Sequence, residues 1–326
     1  MYRDHARVAL LVLLAATPSL SHAQSGAAYP SKPVRVLVAY PPGQAIDILA
    51  RVLAQRLTDR TGQQFIVDNR PGASGIIGTE IGAKATADGY TLTMSSVGAF
   101  SGNPHLFPRL PYDPVRDFDG VTRLVNVPLM LFAAPGLPAD SVKELIALGT
   151  RKGGSLTYAT TGSGNTSHLL MELFKGTVKA GYTQVNYKGS AAAHTDMIAG
   201  RVDLMFDTVT AAAPHVLAKR LKGMAVSNAR RSPALPDLPT FVEAGVAGFV
   251  HPSWIGICAP KGVPAPVLSR LNALFVAAVR DAELKPRFEQ MGMEPMGDEQ
   301  PAFHAFIRTE LDKWGKVIRD AGIRLE

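Results

Sequence analysis

Residues 34–57 constrain the fold more than any other stretch of the chain. Val34, Val36 and Val38 are β-branched and alternate with Arg35 and Leu37, a short apolar run suited to a buried strand. Tyr40-Pro41-Pro42-Gly43-Gln44-Ala45 then breaks the pattern, because two prolines and a glycine continue neither strand nor helix. From Ile46 the period changes. Ile48, Leu49, Val52, Leu53 and Leu57 fall on one helical face, with Arg51, Gln55, Arg56 and Asp59 turned away. Strand, tight loop and helix in that order aim backbone N–H groups, at the positive end of a helix, over the strand's carboxyl end. That outlines an anion site.

The rest of the chain repeats this alternation. Residues 64–67 read as a strand, 77–85 as a helix and 90–94 as a strand ending in Ser95-Ser96-Val97-Gly98. The stretch 98–121 carries Pro104, Pro108, Pro111 and Pro114 and reads as irregular. Residues 127–134 form an apolar strand, and Ser141-Val142-Lys143-Glu144 fits a capping box that opens the next helix. Further strands are expected at 156–159, 183–187, 202–206 and 223–226, with helices at 168–175, 191–199 and 212–219 between them. A late strand at 254–259 precedes long helices at 264–278 and 303–321. The alternation predicts an α/β protein with mainly parallel sheets flanked by helices. With 326 residues there is room for two domains. No low-complexity linker separates them, so crossing strands at 127–134 and 253–259 are expected to join them. The first domain is then discontinuous, 29–127 plus 253–326, and the second is 128–252.

Composition narrows the function classes. Charged residues are 19% and apolar residues 46%, which is globular and not disordered. The net charge of +7 comes without a dense Lys/Arg block, so no nucleic-acid partner is expected. Arg3, His5 and Arg7, the apolar run 8–16 and Ser21-His22-Ala23 form a signal peptide over 1–23, cleaved after Ala23. No stretch approaches about 18 uninterrupted apolar residues, so an exported, soluble, monomeric protein is expected. Cys258, the one cysteine, lies in a strand-like run and reads as a buried hydrophobe.

Candidate chemistry sits in the loops that follow strands. Pro41–Ala45, 95–98, 160–167 and 188–190 carry backbone N–H groups with Ser, Thr and Asn side chains, which suit a carboxylate better than bond cleavage. Gly162-Ser163-Gly164-Asn165-Thr166-Ser167 comes close to a dinucleotide fingerprint. Ser167 replaces its third glycine, however, and the next strand ends Asn186-Tyr187-Lys188 with no acidic residue, so no nicotinamide cofactor is expected. The G-x-S-x-G elbow of esterases is absent. His168 has no histidine at i+3 or i+4, and no metal is expected. It either presents a ring N–H to a cleft or packs and caps. Asp47, in the first turn of its helix, either orients the loop or serves the helix dipole. Asp207, closing a strand, is a buried hydrogen-bonded carboxylate, an exposed loop residue, or a ligand or bound-water contact. Lys188 is either a counter-charge or a surface lysine.

The ordered set of short motifs resembles the Bug family, the substrate-binding proteins of tripartite tricarboxylate transporters. Tyr29-Pro30-Ser31-Lys32-Pro33-Val34-Arg35 leads into Pro41-Pro42-Gly43, and Asn69-Arg70-Pro71-Gly72-Ala73, Asp88-Gly89-Tyr90-Thr91-Leu92 and Leu110-Pro111-Tyr112-Asp113-Pro114 follow. Tyr187-Lys188-Gly189, Asp203-Leu204-Met205-Phe206-Asp207, Arg231-Ser232-Pro233-Ala234-Leu235-Pro236-Asp237 and Trp314-Gly315-Lys316-Val317-Ile318 complete the set. The resemblance implies a two-domain periplasmic flytrap that binds a small organic carboxylate without catalysis and hands it to membrane permease subunits. The same receptor docking on a membrane sensor is the alternative, and an oxidoreductase or hydrolase on a similar frame lacks its motifs. Carried over, the resemblance puts Gly43, Gln44, Ala45, Asp47, Ser95 and Ser96 on one jaw. Thr160, Thr161, Ser163, Asn165, Ser167, His168, Lys188 and Asp207 are on the other. Gln44 stands where the family often has a second glycine, and Thr160-Thr161 where alanine and serine are common.

Overall fold

The computed structural model describes residues 29–324. The expected signal peptide, 1–23, and its cleavage point at Ala23 lie outside them. The opening stretch folds as anticipated: β1 (Val34–Val38), a loop, α1 (Ala45–Thr61) and β2 (Phe65–Asn69). Then come α2 (Ile76–Ala83), β3 (Thr91–Ser96), a short α3 (Asn103–Leu106) and β4 (Phe118–Val127). The second sheet is built from β5 (Leu129–Ala133), α4 (Val142–Lys152), β6 (Thr157–Thr160), α5 (Thr166–Val178) and β7 (Thr183–Asn186). α6 (Ser190–Ile198), β8 (Leu204–Thr208), α7 (Val209–Leu217) and β9 (Lys222–Val226) complete it. The chain returns through β10 (Ser253–Pro260), α8 (Ala265–Val279), α9 (Lys285–Gln290), β11 (Glu294–Pro295) and α10 (Gln300–Asp320). No described helix is long and apolar enough to cross a membrane.

Two sheets result, ordered β11-β4-β10-β3-β1-β2 and β7-β6-β8-β5-β9. This is the expected two-domain α/β architecture, with one correction: the sheets are mixed. β1 pairs in parallel with β2 and β3, and β6 with β7 and β8. β10 runs antiparallel between β3 and β4, and β5 antiparallel between β8 and β9. The reason is the connection between sheets. A strand that enters a sheet from the other lobe brings no crossover helix with it, so nothing forces it to run parallel. Every residue of β5 and of β10 is buried, as befits strands lodged inside a sheet.

Two further expectations are corrected at the first crossing. The expected strand 127–134 is split at Pro128, with Val127 in the first sheet and Leu129 in the second. The stretch 98–121, expected to be irregular, holds a wide helical turn (Gly98–Gly102), α3 and the first residues of β4. In the pairing of β4 with β10, Ile255 and Gly256 oppose Val125 and Arg123, and Ile257 and Cys258 oppose Thr122 and Gly120. Leu124 and Val121 are therefore bulged, and two bulges erase the period of 2 by which a strand is read.

Packing explains why the lobes hold together. In the first lobe Val36, Leu49 and Leu53 meet Leu271 and Phe275 of α8, and behind the second sheet Met130, Phe132 and Met205 meet Val209. A further core runs across the lobes, from Val97 and Phe100 through Leu169 and Phe174 to Trp254, Phe303 and Trp314. α10 anchors it: Trp254 Nε1 and Trp314 Nε1 both donate to Glu310 Oε2 at 3.1 Å. The capping box at α4 is present in altered form. Ser141 Oγ accepts from the Glu144 N–H at 3.2 Å, and Glu144 Oε2 accepts from Asp140 N, one residue further back than expected.

Candidate functional site

A concave cleft, open at its mouth, lies between the lobes. Tyr40, Gln44, Ala45, Ile46 and Ser96 line it from the first lobe, and Thr161, Asn165, Thr166, Ser167, Asp207 and Thr208 from the second. Val127, Leu129, Ser253 and Ile255, all beside the crossings, form its floor.

The first wall is the loop ahead of α1. Gly43 turns it with φ +85°, a left-handed conformation that favours glycine. Asp47, 2% exposed, accepts from Gly43 N at 2.9 Å, from Asn69 Nδ2 at 2.9 Å and from Arg51 Nε at 3.1 Å. Burial alone would raise its pKa; the Arg51, Gly43 and Asn69 donors outweigh it and hold the carboxyl below the usual carboxylate range. Asp47 thus orients the loop and is not part of the cavity lining. Gln44, the residue ahead of α1, places no side-chain cap on the helix. The N–H groups of Ala45 and Ile46 are left without a protein partner among the described hydrogen bonds. Tyr40 Oη and Ser96 Oγ lie 3.1 Å apart at the edge of the same wall.

The second wall is held by a side-chain lattice. Asn165 caps α5, its Oδ1 accepting from His168 N at 3.1 Å and from Ser167 Oγ at 2.9 Å. Its Nδ2 donates to Thr161 Oγ1 at 2.5 Å, and Thr161 N donates to Ser167 Oγ at 3.3 Å. The Thr166 and Ser167 N–H groups have no protein partner among the described hydrogen bonds. Thr208 caps α7 by accepting from Ala211 N at 3.3 Å. Asp207 Oδ2 accepts from His194 Nε2 at 3.1 Å, and its Oδ1 from Thr208 N at 2.7 Å. At the rim the walls meet: Ser74 Oγ of the first lobe donates to Ser163 O of the second at 2.5 Å.

Of the fourteen residues singled out in the sequence, Gln44, Ala45, Ser96, Thr161, Asn165, Ser167 and Asp207 line the cavity. Gly43 and Asp47 sit behind the first wall. Ser95 points to the opposite face of β3 from Ser96 and is fully buried. Thr160 Oγ1 donates to Asn186 Oδ1 at 2.7 Å, and Ser163 meets the rim. Lys188 is exposed. His168 Nδ1 accepts from Gly164 N at 3.0 Å, closing the turn ahead of α5, while its ring borders a different hollow with Tyr158, Glu172 and Lys175. Burial lowers its pKa, so the ring is neutral with its proton on Nε2. Sequence reasoning missed Tyr40 and Ile46, which flank the loop 41–45, Thr166, inside the loop 160–167, Thr208, next to Asp207, and the four floor residues. The floor carried a signal, since the crossings were anticipated, but which of their side chains face the cleft depends on both sheets. Among the described residues no three His, Cys, Asp or Glu side chains are grouped to hold a metal.

The sequence pattern of the tripartite tricarboxylate transporter family receptor matches residues 49–323. The chain belongs to that family. Protein BugT of Bordetella pertussis (strain Tohama I) is 34% identical over 320 residues, spanning 98% of each chain. The structure of the periplasmic binding protein BugD superposes with a TM-score of 0.86 at 32% identity, covering 91% of this chain and all (100%) of BugD. R. palustris Rpa4515, solved with adipate, superposes with a TM-score of 0.88 at 35% identity, covering 91% of this chain and 99% of that one. The receptor family accounts for the two-lobed fold, and the chain is a periplasmic substrate-binding protein of the Bug type.

Proposed function

We propose that this receptor takes a small organic carboxylate into the interlobe cavity and delivers it, chemically unchanged, to the membrane subunits of a tripartite tricarboxylate-type transporter. One observation carries the reading: the uncapped start of α1 and the start of α5 turn free N–H groups toward one cavity from opposite lobes. Each set is a ready donor to a carboxylate oxygen. A ligand that bridges both gains its full contacts only when the lobes are closed, and that difference in affinity shifts the open–closed balance. The adipate held by Rpa4515 supports a carboxylate for this relative.

The division of labour follows the sheets. In this proposal 29–127 with 253–326 moves as one domain and 128–252 as the other, bending at Pro128 and in the residues before Ser253. The mature chain starts after Ala23 and works as a monomer. A thermal-shift screen over aliphatic, aromatic and amino-acid carboxylates tests the ligand class. A ligand at about 100 times its dissociation constant stabilises the fold by about 2.7 kcal/mol, and Ser167→Ala is expected to reduce that shift. No shift with any acid, or a shift with NAD alone, would overturn the reading. Uptake of the identified acid by cells lacking the gene tests delivery, and undiminished uptake would remove the transporter from the proposal.

A further inference from the structure

Among the described residues Asp207 is the one acidic residue lining the interlobe cavity, and no Lys, Arg or His lines it. It is the penultimate residue of β8 and is 7% exposed, near the start of α7. Its Oδ2 lies 3.1 Å from His194 Nε2, within hydrogen-bond reach. His194 is itself 3% exposed, fixed edge-on between the rings of Phe132, at 5.4 Å, and His215, at 5.1 Å. The other oxygen takes Thr208 N at 2.7 Å and, at 3.5 Å, Thr208 Oγ1. A carboxylate has about four acceptor positions, so these three contacts leave capacity on the side that borders the cavity.

The lining is therefore chemically lopsided. Free N–H groups of α1 and α5 favour one carboxylate, and among the described residues no Lys or Arg lines the cavity to balance a second beside Asp207. A second carboxylate there meets like charge in a confined space, whereas a donor group completes Asp207. We propose that Asp207, oriented by His194, selects ligands whose carboxylate is accompanied by an ammonium or hydroxyl group over plain dicarboxylates of equal carbon count. The inference rests on the carboxylate reading above and sharpens it.

Calorimetric titration with matched acids tests it: adipate against 6-aminohexanoate and 6-hydroxyhexanoate, glutarate against 5-aminopentanoate, and succinate against 4-aminobutyrate. At the length that fits, the donor-bearing acid is expected to bind at least about tenfold tighter than its dicarboxylate partner. In Asp207→Asn, which keeps the shape but removes the charge, that ratio is expected to collapse or invert. His194→Gln, which retains a side-chain N–H, is expected to keep more of the ratio than His194→Leu. Dicarboxylates that bind as tightly as their partners at every length would overturn the inference and leave the carboxylate reading standing. A ratio unchanged in Asp207→Asn would do the same, and equal ratios in the two His194 variants would remove His194 from the selection. Binding by no acid of either kind would fell the inference and the carboxylate reading together. The ratio in the unmodified protein decides the matter even if a variant does not fold.

Discussion

The Asp47 carboxylate accepts the Gly43 N–H at 2.9 Å, tying the loop that walls the cleft to the first turn of the helix behind it. The same carboxylate takes Asn69 Nδ2, so two backbone segments share one buried acceptor. Asp47→Ala leaves those donors unpaired and is expected to lower stability by about 1–3 kcal/mol and to weaken ligand binding. Asp47→Asn, which can still accept from Gly43, is expected to recover part of both. Urea unfolding and calorimetry read the two effects.

The sign of the pH response follows from the same bonds. Asp47 is held below the usual carboxylate range when folded, so its contribution is complete above the unfolded value near pH 3.9 and is lost as the pH falls through the folded value. Wild type is expected to lose more stability than Asp47→Asn on acidification below about pH 4. Equal acid slopes for the two proteins would contradict the assignment.

His251, on the return path to β10, packs its ring 5.1 Å from Phe249 and 6.3 Å from Trp314. Burial, with nearby Lys313, pushes its pKa down to about 4. The unfolded imidazole protonates near pH 6.5, so this group's stabilisation is present above that value and is lost as the pH falls toward 4. His251→Phe is expected to flatten the stability profile between those values, measured by urea midpoints at a series of pH values.

Gly256 lets α10 lie directly on β10. A methyl group there would come within 2.2 Å of Phe303 Cζ and 2.9 Å of Ser95 Oγ, and Phe303 is fully buried. Gly256→Ala is expected to destabilise the fold by about 1–3 kcal/mol, seen as a lower urea midpoint at unchanged slope.

Cys258 is fully buried in β10, and burial pushes its thiol up to about 12. Thiolate is the reactive form, so a thiol reagent at pH 8 is expected to leave the native protein untouched and to modify one cysteine in urea. Rapid modification of the native state would place Cys258 at the surface.

Legibility followed the range of the forces involved. The strand, loop and helix at residues 34–57 were readable because β-branched alternation, two prolines and a helical apolar stripe are local signals. The same holds for the start of α4, where Ser141 and Glu144 stand three residues apart, and for the apolar runs 129–133 of β5 and 254–259 of β10. β4 escaped because its bulges at Leu124 and Val121 exist only against β10, more than a hundred residues away. The role of Asp47 was left open for a similar reason: one of its three donors, Asn69, arrives from the next strand.

Sequence alone determined the alternating elements, the loops at strand ends and, through motifs in family order, a two-lobed receptor. Only the tertiary structure decided that the sheets are mixed, that His168 closes a turn beside another hollow, and that His194 reaches Asp207 next to the cavity. Periodicity along the chain records which face of an element is apolar. It carries no trace of which two side chains, brought from distant elements, will meet across a cleft.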